Sequence, residues 1–205
     1  VPPWAVRSAA WEPPLNLSAE TLERARGGDV DAYREFVEAF ERPIQRTVYR
    51  LVGSRFSAEV EDICQDIFVK LFRALPQFDP QRGTKLSSWV FTFVKNYCFD
   101  VLKRKRLQTV PLDRAGEDSQ QFTPPADTRP PGDELAALET QELIARAVEQ
   151  LPREQRLAFV LREYEGLAYA EIAEISECSE GTVKSRIHRA KEALRFRLRR
   201  LLDDS

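Results

Sequence analysis

Between Tyr33 and Leu102 the apolar side chains recur every three or four residues, and they never alternate with polar ones for the length of a strand. That period dictates amphipathic helices. Tyr33, Phe36, Val37, Phe40, Ile44, Val48, Leu51 and Val52 mark one helix, with Pro43 expected to kink it and Gly53 to end it. A second is expected over Ala58–Leu75, capped by Ser57, through Val60, Ile63, Cys64, Ile67, Phe68, Leu71, Phe72 and Leu75. A third is expected over Lys85–Arg106, with Leu86, Trp89, Val90, Phe93, Val94, Tyr97, Cys98, Val101 and Leu102 on its buried stripe. Residues 29–106 therefore read as one helical bundle. Residues 1–28, with Pro2, Pro3, Pro13 and Pro14, read as an irregular arm with room for a short helix from Leu17 to Arg26. Residues 107–133 hold five prolines and no period, the composition of a flexible tether. Residues 134–202 turn helical again, with one helix expected over Glu134–Gln150 and the next beginning with Pro152 in its first turn and reaching Tyr164. The fold class is all-α: two small helical domains joined by a flexible acidic linker.

Charge sharpens this division. The 205 residues carry 31 basic and 33 acidic groups, a net charge of −2 that excludes a simple polycationic nucleic-acid binder. Residues 29–106 hold 14 basic against 11 acidic groups, residues 107–142 hold 2 against 8, and residues 143–202 hold 12 against 9. Two mildly basic blocks thus flank an acidic strip. Lys103 to Arg106 are four consecutive cations, and Lys184 to Arg200 carries eight cations with Glu192 as its only acid. Such faces seek phosphate.

Catalytic classes find little support. With His188 as the single histidine and Cys64, Cys98 and Cys178 far apart, no zinc cluster, disulfide framework or Cys/His nucleophile is indicated, and no phosphate-binding glycine loop is present. No metal or cofactor is expected. Cys64 and Cys98 fall on apolar stripes, and Cys178 is expected to be a structural thiol in a turn. No stretch approaches the roughly 18 apolar residues of a membrane span, and the start lacks the layout of a signal peptide, so a cytoplasmic protein without membrane insertion is expected.

Residues 169–190, YAEIAEISECSEGTVKSRIHRA, read as a short helix, a tight turn and a longer helix with a basic face, the pattern of a helix-turn-helix. Ile172 and Ile175 are expected to pack on Val183 and Ile187, Ala173 to permit close approach, and Ser179 to cap the second helix. Glu180, Thr182, Lys184, Ser185, Arg186, His188 and Arg189 are then directed toward a major groove. Two departures from the usual pattern stand out. Glu177 occupies the turn position where glycine is common, at a cost of about 1 kcal/mol if left-handed. Ala168 replaces the Ser or Thr of a capping box with Glu171, a loss of about 0.5–2 kcal/mol.

Taken together, DAYREFVEAF, EDICQDIFVKLF and FDPQRGTKLSSWVFTFVKNYCFDVLKRKR in the first half, and LPREQRLAFVLREYEGLAYAEIAE with SEGTVKSRIHRAKEAL in the second, resemble the extracytoplasmic-function sigma factors. These are compact bacterial promoter-recognition subunits that keep only the second and fourth conserved regions. The resemblance spans about residues 29–202, with region 2 over 29–106 and region 4 over 134–202, and implies a chain that binds core RNA polymerase, recognises promoter DNA and promotes its opening. It implies that Asp62, Gln65, Asp66 and Phe68 grip the polymerase clamp, the first three forming a polar stripe three and four residues apart.

For the minus-ten element and melting it implies Phe78, Asp79, Gly83, Trp89, Lys95, Asn96, Phe99, Asp100 and Arg104, the loop 78–83 capturing a flipped base. The aromatics interleaved with cations suit unpaired bases. By period, Trp89, Phe93 and Tyr97 belong to the buried stripe, leaving Phe91 and Phe99 as the more accessible rings. Duplex stacking is worth about 1.4 kcal/mol per step and an aromatic returns roughly 1–3 kcal/mol per base, so a few captures offset melting without nucleotide hydrolysis. The helix-turn-helix residues Glu180 to Arg189 correspond to reading the minus-thirty-five element as duplex, and the linker to entering the polymerase RNA path. An anti-sigma partner is implied by analogy. The competing expectation is a conventional helix-turn-helix regulator acting without polymerase; such proteins usually dimerise, and no self-association heptad follows Arg200.

Overall fold

The computed structural model describes residues 17–108 and 143–203, all helix and connecting turn, with no strand among the described residues. Eight α-helices are described: α1 (Ala19–Arg26), α2 (Val30–Val52), α3 (Val60–Ala74), α4 (Leu86–Gln108), α5 (143–149), α6 (Arg153–Glu163), α7 (Tyr169–Ser176) and α8 (Glu180–Asp203). The expected tether lies outside the described residues except for Leu107 and Gln108, which continue α4, and so does the start of the helix expected from Glu134.

Local chemistry sets the ends. Ser18 accepts the amide of Thr21 and Asp29 those of Asp31 and Ala32, capping α1 and α2. α1 is not an idle arm: Leu22 and Ala25 are buried, and the Thr21 hydroxyl donates to Glu35 at 3.0 Å, so it belongs to the first bundle. α2 runs unbroken through the buried Pro43 and stops at Gly53, whose φ of 89° a side-chain-bearing residue would adopt only under strain. The cap expected from Ser57 does not form. Residues Ser54–Glu59 already wind as a 3₁₀ segment, so α3 begins at Val60 with no side-chain cap and Ser57 lies inside the preceding turn. Pro152 likewise sits one step earlier than expected, at the extended N-cap position before α6.

Helices α1 to α4 surround Phe36, Phe40, Ile44, Leu51, Ile67 and Leu71, all at most 1% exposed. Each such side chain withdrawn from water contributes roughly 1.5–3 kcal/mol. Phe36 packs on Phe40 at 4.8 Å and on Phe72 at 5.7 Å between ring centroids. This core does not end with the first domain. It continues through Val90, Phe91 and Val94 of α4 into Leu157, Leu161, Leu167, Ile172, Ile175, Val183 and Ile187 of the second. A smaller core of Ala147, Val148, Leu151, Phe159, Val160, Ala190 and Leu194 closes the far side of α6 against α5 and α8.

The helix-turn-helix forms as its sequence dictates. Ile172, Ile175, Val183 and Ile187 are buried together, Ser179 Oγ accepts the Thr182 amide at 3.2 Å, and Glu177 adopts the left-handed conformation at φ 52°, ψ 46°. At the start of α7 only half a capping box exists: Glu171 Oε2 accepts the Ala168 amide at 2.9 Å, and Ala168 has no oxygen to return the favour. Ala168→Ser completes the box and is expected to stabilise the chain by about 0.5–2 kcal/mol, read as a higher denaturant midpoint at unchanged m-value.

Candidate nucleic-acid interface

Three surfaces carry the polar chemistry. On α3, Asp62, Gln65 and Asp66 are exposed along one face, while Phe68, half-buried, stacks beside Phe72 at 6.0 Å. Asp62 and Asp66 form one wall of a shallow groove whose other wall is Tyr97, Val101 and Arg104 of α4. The Tyr97 hydroxyl donates a short hydrogen bond to Asp66, which pushes the phenol up to about 12, and the Lys70 ammonium lies 4.6 Å from the Tyr97 ring centre. Two residue sets expected to meet different partners thus share one groove.

The second surface is the loop Phe78 to Gly83 with the exposed flank of α4. Phe78 is 5% exposed and packs against Trp89 at 5.0 Å, so its ring anchors the loop. Asp79 accepts the Gln81 amide at 2.9 Å, Gly83 turns the chain at φ 80°, and Gln81 and Arg82 are left exposed. Asn96, Asp100 and Arg104 are exposed and Phe99 is half-buried, with the Arg153 guanidinium 5.0 Å from its ring centre. The accessibility expected for Phe91 does not hold: it is fully buried, whereas Trp89, Phe93 and Tyr97 are only half-buried. α4 is covered on two sides. Its stripe packs on α2 and α3, and the line Ser87, Phe91, Lys95 packs under α7.

The third surface is α8. Glu180, Lys184, Ser185, His188 and Arg189 are exposed in one direction. Thr182 exchanges a hydrogen bond with Ser179 at 3.0 Å, and His188 lies 3.5 Å from Glu192. Arg186 is turned inward, bonded to Cys178 Sγ and to Glu154 at 3.5 Å each, where it ties the turn to α6. Cys98 is buried and its thiol pushed up by burial, and Cys64, half-buried against the core, is raised to about 12 chiefly for the same reason. No group of residues suited to a metal ion occurs among the described residues, and no described helix is long and apolar enough to cross a membrane.

The seam between the halves was not legible in sequence. Arg156 of α6 donates to the Leu51 carbonyl at 2.8 Å and also to the Leu151 and Glu149 carbonyls. Glu149 accepts the Ser54 amide at 2.6 Å and its hydroxyl at 3.0 Å. Arg46 reaches the buried Glu165 at 3.5 Å, and Arg50 stacks on Tyr164 at 3.9 Å. The partners that cross the seam, such as Ser54 with Glu149, Leu51 with Arg156 and Arg46 with Glu165, lie 95 to 119 residues apart in the chain, and no local signal pairs them.

Two family models match the chain, sigma-70 region 2 over residues 36–108 and sigma-70 region 4 over residues 141–194. The ECF RNA polymerase sigma factor SigW of Bacillus subtilis is 32% identical over 184 residues, covering 88% of this chain and 96% of SigW. The ECF RNA polymerase sigma-E factor of Escherichia coli is 31% identical over 84% of this chain and 90% of its own. The chain belongs to the extracytoplasmic-function sigma factors of RNA polymerase. Its fold matches CnrH, solved in complex with the cytosolic domain of CnrY, at a TM-score of 0.62 and 22% identity, over 91% of this chain and 97% of that one. It matches the sigma factor RpoE of Bartonella quintana, solved with the anti-sigma factor NepR, at 0.62 and 22%, over 83% and 98%.

Glu165 supplies a pH signature of the seam. Burial holds its carboxyl above the usual range against the opposing pull of Arg46 and Arg50. A folded value above the unfolded one means that this group's stabilisation is complete below the unfolded carboxylate range, near pH 4.3, and is lost as pH rises through the folded value. Glu165→Gln keeps an acceptor for Arg46 without titrating. The Tm of the variant minus that of the wild type is expected to grow as pH rises from 4 to 8, measured calorimetrically.

Proposed function

We propose that this sigma factor works by binding alone, in the cytoplasm, through three residue sets on the surfaces described. Asp62, Gln65, Asp66 and Phe68 meet the polymerase clamp. The loop Phe78 to Gly83, with Trp89, Lys95, Asn96, Phe99, Asp100 and Arg104, engages the minus-ten element and holds melted bases. Glu180, Thr182, Lys184, Ser185, His188 and Arg189 read the minus-thirty-five duplex, with Arg186 shaping the turn that presents them. The observation that carries this reading is the shared groove of α3 and α4: an acidic stripe for a basic partner helix adjoins Tyr97 and Arg104 on the helix assigned to DNA. On this reading a polymerase bound on one wall lies beside the strand held on the other.

Phe78 and Trp89 serve this scheme from inside, by fixing the loop that carries Asp79 to Gly83. A regulator acting without polymerase leaves the α3 stripe and the aromatic helix without a use. Solved relatives bound to CnrY and to the anti-sigma factor NepR support an anti-sigma protein as a further partner. Asp62→Ala with Asp66→Ala is expected to weaken binding to bacterial core polymerase about tenfold or more, the loss of a charge-assisted contact, as read by titration of labelled protein. Lys184→Ala with Arg189→Ala is expected to leave core binding intact while lowering duplex affinity and reducing its salt slope by about 2. Equal core affinity of the α3 variant would overturn the clamp assignment.

A further inference from the structure

The loop and first turns of α4 present a line of donors, Thr84, Lys85, Ser87 and Lys95, and every one of them is bonded to the same short helix and its turn. Thr84 donates to Glu174 at 2.6 Å, Ser87 to Glu171 at 3.1 Å and Lys95 to Glu177 at 2.7 Å, while Lys85 lies 3.5 Å from Glu171. Glu171, Glu174 and Glu177 are spaced three residues apart and form one acidic edge. Between Ser87 and Lys95, four residues from each, Phe91 is fully buried under the same edge. Lys95 is itself only 8% exposed, although a lysine on a helix flank normally keeps its ammonium in water. Hydroxyls and an ammonium around an aromatic ring are also the groups that would hold the phosphates and bases of a single strand. Here carboxylates take the phosphate positions.

We infer that the acidic edge of α7, Glu171, Glu174 and Glu177, acts as an internal stand-in for nucleic acid, covering the Ser87–Phe91–Lys95 line of α4 until the two halves of the chain part. This rests on the proposed assignment of α4 to promoter DNA. The clamp stripe on α3 lies on the opposite flank, against Tyr97, and is not covered by α7. Polymerase can therefore be bound while the Ser87–Phe91–Lys95 line is still covered. The partner that displaces α7 must outcompete three carboxylates, and since Glu174 and Glu177 are exposed, salt weakens their hold. Because α7 is also the first helix of the helix-turn-helix, releasing α4 frees the second DNA-reading unit in the same movement.

The test compares the full chain with E171Q/E174Q/E177Q. Glutamine at 171 still accepts the Ala168 amide, so the start of α7 is kept. Two quantities are read: amide hydrogen exchange of residues 87–95 without DNA, and anisotropy of a fluorescein-labelled single-stranded 20-mer of mixed sequence. Faster exchange together with affinity raised about fivefold or more is expected, the lower end of typical coupling between two states. E20Q/E38Q/E41Q removes equal charge from α1 and α2 and is expected to change neither. Unchanged exchange, unchanged affinity, or an equal gain in this control would each overturn the inference. Core polymerase binding is measured alongside: its absence in every variant defeats the proposed function, whereas intact core binding with a silent triple variant defeats only the masking.

Discussion

Helix α4 is buried from two directions, and the arrangement of the rest of the molecule follows from that. Toward α2 and α3 it contributes Val90, Val94 and Cys98 to the first bundle's core, and toward α7 it contributes Ser87, Phe91 and Lys95. A helix with a single apolar stripe would leave the second domain tethered only by its linker. The second face draws α7 in, and α6 is then seated against α2, where Arg156 and Glu149 satisfy backbone groups at the end of α2 and the turn after it. One continuous core with a polar seam results, in place of two independent bundles.

The polar seam gives this association a different character from the cores it joins. Burying Leu or Phe is insensitive to pH and salt, but Glu165 and Glu177 respond to pH, and the pairing of Lys95 with the exposed Glu177 responds to salt. Glu165 is held above its ordinary range by burial, whereas Glu177 is held below its range by the Lys95 ammonium, so the two acids respond in opposite senses to proton concentration. The ion pairs around that shared core are therefore the part of the association that solution conditions modulate.

Much of this was legible in the sequence because helices announce themselves locally. The apolar period located α2, α3 and α4 to within a few residues, and the YAEIAEISECSEGTV run contained the turn, the cap at Ser179 and the left-handed Glu177. The misses share one cause. Ser57 reads as a cap because cap chemistry is visible in sequence, whereas the 3₁₀ turn Ser54–Glu59 that takes it up is not. Phe91 was expected to be accessible because the period identifies one stripe, and its burial depends on α7, more than seventy residues away. Arg186, expected among the groups facing DNA, also bonds Cys178 and Glu154, contacts that only tertiary geometry makes.

As a sigma factor, this chain directs polymerase to promoters. Run-off transcription from a pool of genomic fragments, with purified bacterial core RNA polymerase in the presence and absence of the protein, examines that directly. Discrete new start sites sharing two spaced upstream motifs are the predicted result. Tight binding of the protein to duplex sites with no added start sites would contradict it.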